Sequence, residues 1–175
     1  MNRSDSLRLA VMQSKIDFRA SSINAYLSMQ IINEYSQHKS VFRVYWEDTD
    51  AGGIVYHARY LQFFERGRTE WLRKIGVEQS TLKQQTSGQF VVVQQHIAYH
   101  ASARLDDQLC IDTQLSTLGK VSCEFTQTAY RLNSDKITSK VAHCVSKIGF
   151  INAETNKPMR IPAELLAAMQ IDTST

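Results

Sequence analysis

The chain has 175 residues, of which 43% are hydrophobic, so it can bury one substantial core and form a single domain. Its formal charge is only +3, and residues 41–175 hold fifteen basic and fourteen acidic side chains, which argues against a broad nucleic-acid surface. No apolar run approaches the ~18 residues of a membrane-spanning helix, and the three cysteines have no close pair spacing, so we expect free, buried thiols in a soluble, cytoplasmic protein.

The first forty residues, 1–40, differ from the rest because serine, asparagine and glutamine are frequent in them. A weak helical pattern spaces apolar residues four apart, at Ile23, Leu27, Ile31 and Tyr35. Residues 1–20 contain no continuous apolar run of the ~7–15 residues that a secretory signal needs. We predict a mobile extension with one short helix, followed by one domain over 41–175. Met12 and Met29 are alternative starting residues.

A strand, an acidic loop and a long helix are predicted next. Phe42, Val44 and Trp46 alternate with more polar neighbours, which is the pattern of a strand that begins at about Val41. The loop that follows contains aspartates and two adjacent glycines, which favour turns. Apolar residues then recur three and four apart, which predicts a helix over 58–75 with these buried positions: Tyr60, Phe63, Phe64, Gly67, Trp71 and Ile75. Gly76 follows, where a left-handed cap is expected.

Gly67 is unusual because it lies among the bulky aromatics of this helix face. A glycine in a helix costs ~1 kcal/mol relative to alanine. We therefore expect the helix backbone to approach another element closely at Gly67, most simply a sheet wrapped around the helix. The alternative is an ordinary amphipathic helix in which the glycine has no packing role.

Four runs with β character follow a polar connection, in which Ser80–Gln85 are predicted to form a turn of helix. The predicted strands are Phe90–Ser102, Gln108–Leu118, Val121–Leu132 and Ile137–Phe150. In the first of them one face is predicted to carry Val91, Val93, Ile97 and Tyr99. Short turns join the last three strands into an antiparallel meander. A short helix is predicted over Ala163–Met169 near the end.

This order of elements predicts the fold class. One strand, one long helix and then four strands indicate an α+β hot-dog fold, in which a five-stranded antiparallel sheet wraps around one long central helix. The chain shows no βαβ alternation, so doubly wound folds are disfavoured. Because such a sheet leaves its edges and one face open, we expect a homodimer at least.

The acidic loop resembles the beginning of a calcium loop, but its later positions do not fit. The fifth position is Gly52, which offers no side-chain oxygen, and the twelfth is Arg59 instead of glutamate. His96 and His100 are four apart in a predicted strand, where that spacing does not hold a metal as a helix would. We therefore expect no metal site and no cofactor, and we interpret both histidines as sheet or surface residues.

Asp50 and His57 are the strongest candidates for chemistry. They flank the glycine turn at the start of the long helix, where unpaired N–H groups and the positive end of the helix dipole are expected. Adjacent glycines allow the backbone to approach a ligand closely, and free N–H groups near His57 could receive an oxyanion. This arrangement favours acyl transfer. Asp48, in contrast, is predicted to stabilise the turn.

Three segments carry a more specific signal: RVYWEDTDAGGIVYHARY at 43–60, ERGRTE at 65–70 and ASARLDD at 101–107. They resemble hot-dog thioesterases of the 4-hydroxybenzoyl-CoA thioesterase superfamily and, more narrowly, the Tol–Pal-associated YbgC branch of acyl-CoA thioesterases. The resemblance covers about 43–162. It implies hydrolysis of acyl-CoA thioesters to free CoA and a carboxylic acid, with a role in lipid metabolism.

The resemblance also implies roles for single residues. Asp50 would be the catalytic carboxylate, as general base or as nucleophile, and His57 would help to place the thioester carbonyl against backbone N–H groups. Residues expected to contact the substrate are Gly53, Val55, Tyr56 and Ala58. Glu65 is a second candidate carboxylate, although pairing with a nearby arginine is the simpler interpretation. Trp46 departs from the tyrosine usual in this branch, and an indole cannot act as a phenolic acid.

Partners and alternative functions follow from the same resemblance. It implies a homodimer or a homotetramer built as a dimer of dimers, and possible acyl carrier protein or envelope-associated Tol–Pal partners. Basic residues that are candidates for the CoA phosphates, but are expected to be solvated, are Arg59, Arg66, Arg68, Arg104 and Lys120. The alternatives are a non-catalytic acyl-thioester-binding or scaffold protein and a hot-dog dehydratase or hydratase, whose usual His-Phe-Pro-Gly loop is absent.

Overall fold

The computed structural model describes residues 37–170. Residues 1–36 of the predicted extension, which include its predicted helix, lie outside this range. The elements, in chain order, are β1 (Gln37–Arg43), a 3-10 turn (Trp46–Asp48), α1 (Arg59–Lys74), α2 (Gln79–Thr86), β2 (Gly88–Tyr99), β3 (Gln108–Leu118), β4 (Ser122–Asn133), β5 (Lys136–Asn152) and α3 (Ala163–Gln170). None of the helices in this range has both the length and the apolar character needed to cross a membrane.

The five strands form one antiparallel sheet, in the order β1-β3-β4-β5-β2. Helix α1 packs on one face of this sheet, mainly against β1, β3 and β4. The predicted α+β hot-dog arrangement is therefore confirmed. The predicted helix and strands 90–102, 108–118, 121–132 and 137–150 agree with the structure to within three residues at each end.

The core between α1 and the sheet has two apolar halves. One half surrounds Tyr60, Phe63 and Phe64 at the beginning of the helix, and the other surrounds Trp71 and Leu72 near its end. All five side chains are buried, and four of them are predicted from the periodicity of the sequence, the exception being Leu72. Ile75, which is also predicted to be buried, is only partly buried. The helix ends where expected, since Gly76 follows it with a φ of +80°.

The first strand differs from its prediction at both ends. It begins at Gln37 instead of Val41, and it ends at Arg43 instead of continuing to Trp46. The reason is local: the Asp48 carboxylate accepts the backbone N–H of Tyr45 at 2.9 Å, which bends Trp46–Asp48 into a 3-10 turn. The Trp46 side chain is consequently 79% exposed. The domain boundary at 40/41 stays a prediction.

The face predicted for β2 is also wrong in part. Val91 and Val93 both lie on the side of Gly149 to which a Cβ atom would point, and Val91 pairs with Gly149. Phe90 and Val92 pair with its neighbours Phe150 and Ile148 and therefore lie on the opposite face. The cause is a β-bulge between Val92 and Gln94, which places one extra residue, Val93, in the strand. An extra residue reverses the alternation of side chains after it. Even-numbered residues before the bulge, such as Phe90 and Val92, therefore share a face with odd-numbered residues after it, such as Ile97 and Tyr99.

The three cysteines are free and buried, as predicted. Burial raises the pKa of the Cys123 thiol to about 12, so this thiol stays protonated near neutral pH. Burial also raises the pKa values of Cys110 and Cys144. Since the thiolate is the reactive form of cysteine, these residues serve as core side chains.

Gly67 approaches the sheet closely, which confirms the interpretation made from the sequence. A Cβ atom at this position would lie 2.7 Å from both the Cγ2 atom of Ile111 and the Oγ1 atom of Thr113. Both neighbours are buried, β-branched residues of β3, so neither can withdraw easily. The glycine therefore sets how near the helix lies to the sheet.

We expect Gly67→Ala to lower the free energy of unfolding by about 1–3 kcal/mol, the usual cost of overpacking a core. Helix propensity alone predicts the opposite sign, a gain of ~1 kcal/mol. Equilibrium unfolding in urea measures the difference between the variant and the wild type. A variant more stable than the wild type would show that the contact with Ile111 and Thr113 is not restrictive.

Candidate active site

The acidic loop folds into a tight turn that presents the Asp50 carboxylate at the surface. The backbone N–H of Gly53 donates to the carbonyl of Asp50 at 2.9 Å, and the N–H of Asp50 donates to the carbonyl of Ile54 at 2.9 Å. Gly53 has a φ of +71°, which favours glycine. The Oδ1 atom of Asp50 accepts the N–H of Gly52 at 2.8 Å, whereas Oδ2 has no hydrogen-bond partner within residues 37–170. One carboxylate oxygen is therefore anchored and the other is available.

Asp48 has the structural role predicted for it. Its side chain is 2% exposed, accepts the N–H of Tyr45, and lies 3.9 Å from the Nε atom of Arg59 at the start of α1. Arg59 also donates to the carbonyl of Glu47 at 2.5 Å. These contacts fasten the loop to the helix, so Arg59 is tied into the loop and does not extend as a free surface charge.

Among the described residues, the beginning of α1 leaves three backbone donors unused, the N–H groups of His57, Ala58 and Tyr60. The N–H of Arg59 bonds to the carbonyl of Tyr56 at 2.8 Å and that of Leu61 to the carbonyl of Ala58 at 3.2 Å. Within the described residues, the N–H groups of His57 and Ala58 have no acceptor, and no side chain caps the helix. Such groups, at the positive end of a helix dipole, are suited to bind an oxyanion.

The His57 ring is exposed and lies in a group of tyrosines. Its centroid is 4.4 Å from that of Tyr56 and 6.4 Å from that of Tyr99, which meets it edge-on. The Tyr99 hydroxyl donates to the His57 carbonyl at 3.0 Å and the Tyr99 ring packs edge-on against Tyr60 at 5.7 Å. Within the described residues, the imidazole makes no hydrogen bond to Asp50. Sequence reasoning did not identify Tyr99 as a site residue, because it belongs to a strand 42 residues further along the chain.

The residues expected to contact substrate occupy different environments. Gly53 and Tyr56 are exposed on the loop, and Ala58 is half-buried at the helix start. Val55 is different, because its side chain is 4% exposed in the core and its N–H donates to the carbonyl of Ala103 at 2.8 Å. Val55 therefore fixes the loop to the segment before β3 and presents no apolar surface to a ligand.

Glu65 and Arg68 form an ion pair at 2.5 Å between Oε2 and Nη2, as the simpler interpretation of Glu65 predicts. Arg68, however, is not a solvated surface charge: it is 4% exposed. Its Nη1 atom donates to Gln127 Oε1 at 2.8 Å and to Ser146 Oγ at 3.2 Å. A partly open cavity of about 40 Å³ lies beside the pair, with an apolar wall of Leu72, Phe90, Val91, Val92, Phe125, Ile148 and Met169.

The other candidate basic residues divide into two kinds. The guanidinium of Arg66 lies 5.5 Å from the ring centre of Phe63 and 6.0 Å from that of Phe42, in cation–π geometry. Arg104 and Lys120 are exposed, as predicted for solvated charges.

The chain is similar to several known proteins. Residues 44–169 match the thioesterase-like superfamily. The chain is 46% identical over 128 residues to the acyl-CoA thioesterase YbgC of Haemophilus influenzae, a match that spans 72% of this chain and 89% of that protein. The crystal structure of a probable thioesterase from Bartonella henselae shares 37% identity and a TM-score of 0.62, over 73% of this chain and 99% of that one.

A more distant structural neighbour has the same fold. The 4-hydroxybenzoyl-CoA thioesterase of Pseudomonas sp. strain CBS-3 is 17% identical, with a TM-score of 0.70, over 76% of this chain and 99% of that one. At this level of identity the likeness concerns the fold alone.

Proposed function

We propose that Asp50 is the reacting carboxylate of this chain. The chain belongs to the thioesterase-like superfamily and is an acyl-CoA thioester hydrolase. One observation carries the proposal: the loop that leads into α1 presents an available carboxylate oxygen, and the helix start to which this loop is fastened has backbone N–H groups without acceptors among the described residues. These are the two components that acyl transfer needs, a base or nucleophile and an oxyanion site.

Two routes are open to Asp50. As general base, it takes a proton from a water whose oxygen attacks the thioester carbonyl, and CoA leaves as the thiol after protonation. As nucleophile, its oxygen attacks the thioester carbonyl, the C–S bond breaks and CoA leaves as the thiolate, which is then protonated; water hydrolyses the resulting mixed anhydride. In both routes the tetrahedral oxyanion would accept hydrogen bonds from the N–H groups of His57 and Ala58. The imidazole of His57 would border the carbonyl without taking up a proton from Asp50.

The helix-start N–H groups can be tested by removing one of them. Ala58 has a φ of −71°, which proline adopts without strain, and its N–H makes no bond that the described fold needs. We expect Ala58→Pro to lower kcat by about 10²–10³-fold, the usual effect of losing one oxyanion donor. Thiol release from an acyl-CoA measures the change.

The matching variant Ala58→Ser retains the N–H and is expected to lose at most a few-fold of the activity. If Ala58→Pro turns over within a few-fold of the wild type, Ala58 does not supply an oxyanion donor. A panel of short, long and aromatic acyl-CoAs, assayed with the wild type, identifies the acyl group that the chain prefers.

We further infer that the working form is a homodimer or homotetramer. Within residues 37–170, the outer edge of β2 has no strand neighbour, and Val93 is 61% exposed beside it. It also leaves Asp50 facing open solvent, where a second copy could cover the substrate. Sedimentation equilibrium gives the mass that distinguishes the two states. Acyl carrier protein, envelope-associated Tol–Pal partners and a cytoplasmic location stay predictions from the resemblance.

A further inference from the structure

The peptide unit between His57 and Ala58 is held in an unusual way. In a regular helix, the carbonyl of His57 would accept the N–H of Leu61, four residues later. Here Leu61 donates instead to the carbonyl of Ala58, three residues before it, at 3.2 Å. The His57 carbonyl accepts no backbone N–H within residues 37–170. The helix ladder therefore does not fix this peptide unit.

The Tyr99 hydroxyl supplies the missing bond. It donates to the His57 carbonyl at 3.0 Å from the last residue of β2. The Tyr99 ring is held in turn by edge-on contacts with Tyr60 and with His57. Burial raises the pKa of Tyr99 above its ordinary value, so the hydroxyl remains a donor throughout the neutral range. A side chain of the edge strand thus fixes the plane of a peptide at the helix start.

Fixing that plane has a chemical consequence, because the same peptide unit ends in the N–H of Ala58. Hydrogen bonds in a chain polarise one another, so an O–H donating to the carbonyl makes the N–H at the other end a stronger donor. The bond also holds the N–H in one direction, which an oxyanion site requires. We propose that Tyr99 is a positioning residue, which orients and polarises the His57–Ala58 peptide for the oxyanion; this inference rests on the proposed function.

The test is Tyr99→Phe, which removes the hydroxyl and keeps the ring that packs on Tyr60. We expect kcat to fall roughly 3–10-fold, the value of one hydrogen bond, with KM unchanged, because the bond matters most when the oxyanion has formed. The matched control is Tyr130→Phe, since the Tyr130 hydroxyl has no hydrogen-bond partner among the described residues. This control is expected to retain the wild-type kcat.

A double variant separates positioning from a merely structural role. If Tyr99 acts through the Ala58 N–H, adding Tyr99→Phe to Ala58→Pro, where that N–H is absent, causes no further loss of kcat. A further 3–10-fold loss in the double variant would overturn the proposal, and so would wild-type kcat in Tyr99→Phe or a raised KM with unchanged kcat. Asp50→Asn tests the proposed function separately. If Asp50→Asn is inactive and Tyr99→Phe is fully active, the role proposed for Tyr99 is refuted and the proposed function stands.

Discussion

Replacing Asp50 by asparagine is expected to lower the rate of thioester hydrolysis by about 10²–10⁴-fold and to leave the fold intact. An amide can neither accept a proton from water nor attack a thioester carbonyl. Its oxygen can still accept the N–H of Gly52, the bond that shapes the turn at 2.8 Å in the wild type. Since the side chain is exposed, the substitution disturbs no packing. Steady-state thiol release measures the rate, and circular dichroism reports the fold.

The matched control for Asp50→Asn is Glu65→Gln, which neutralises the other carboxylate proposed from the sequence. Glu65 lies two turns into α1 and bonds to Arg68, so we expect this variant to retain its activity. Loss of hydrolysis in Glu65→Gln together with wild-type rates in Asp50→Asn would transfer the catalytic role to the helix.

The two routes open to Asp50 differ in the origin of one oxygen atom. In a single turnover in ¹⁸O-water, a general base delivers labelled oxygen to the first molecule of carboxylic acid. A nucleophilic Asp50 gives its own oxygen to the acid when water opens the anhydride at the Asp50 carbonyl, so the first product molecule carries no label and the ¹⁸O enters Asp50. Mass spectrometry of the acid from one turnover therefore distinguishes the routes.

The second large effect is expected for stability: Arg68→Ala should lower the free energy of unfolding by about 3 kcal/mol. The substitution removes charge-assisted hydrogen bonds to Gln127 and Ser146 and leaves space in the core. Ser146 retains a bond from the Nε2 atom of Gln95 at 3.0 Å, but within the described residues Gln127 Oε1 has no other partner. An unsatisfied buried acceptor costs about 1–3 kcal/mol by itself. Urea unfolding monitored by fluorescence measures the loss.

Two variants divide that cost into its parts. Arg68→Met keeps most of the buried volume and removes the donors, so the difference between Met and Ala reports packing. Glu65→Gln weakens only the ion pair, and since the Glu65 side chain is 52% exposed we expect a change below about 1 kcal/mol. A loss in Glu65→Gln as large as that in Arg68→Ala would mean that the ion pair, and not the buried network, stabilises this region.

The central strand–loop–helix unit could be predicted from the sequence because its signals are local. The spacing of Phe63, Phe64 and Trp71 identifies the buried helix face, and the glycines around residue 52 identify the turn. Gly67 could be interpreted too, since a glycine among aromatics has few explanations other than close contact. The position of Asp50 on this turn follows from the same segment, because only residues close in sequence form the turn.

Features that join distant segments could be identified only from the structure. The bulge at Val93 reverses the alternation of side chains in β2, because the pairing with β5 leaves one extra residue in β2. A valine in the sequence does not predict such a bulge. Arg68 has the sequence context of a surface charge, yet acceptors from β4 and β5 surround it.

By itself, then, the sequence determined the order of the elements, the buried aromatic face of α1 and the position of the acidic loop before this helix, because each depends on spacing within one segment. Only the tertiary structure decided which distant side chains lie beside the start of α1. Tyr99 reaches the His57 carbonyl because β2 runs along the sheet edge and ends beside the start of α1, a proximity fixed by strand pairing across the molecule.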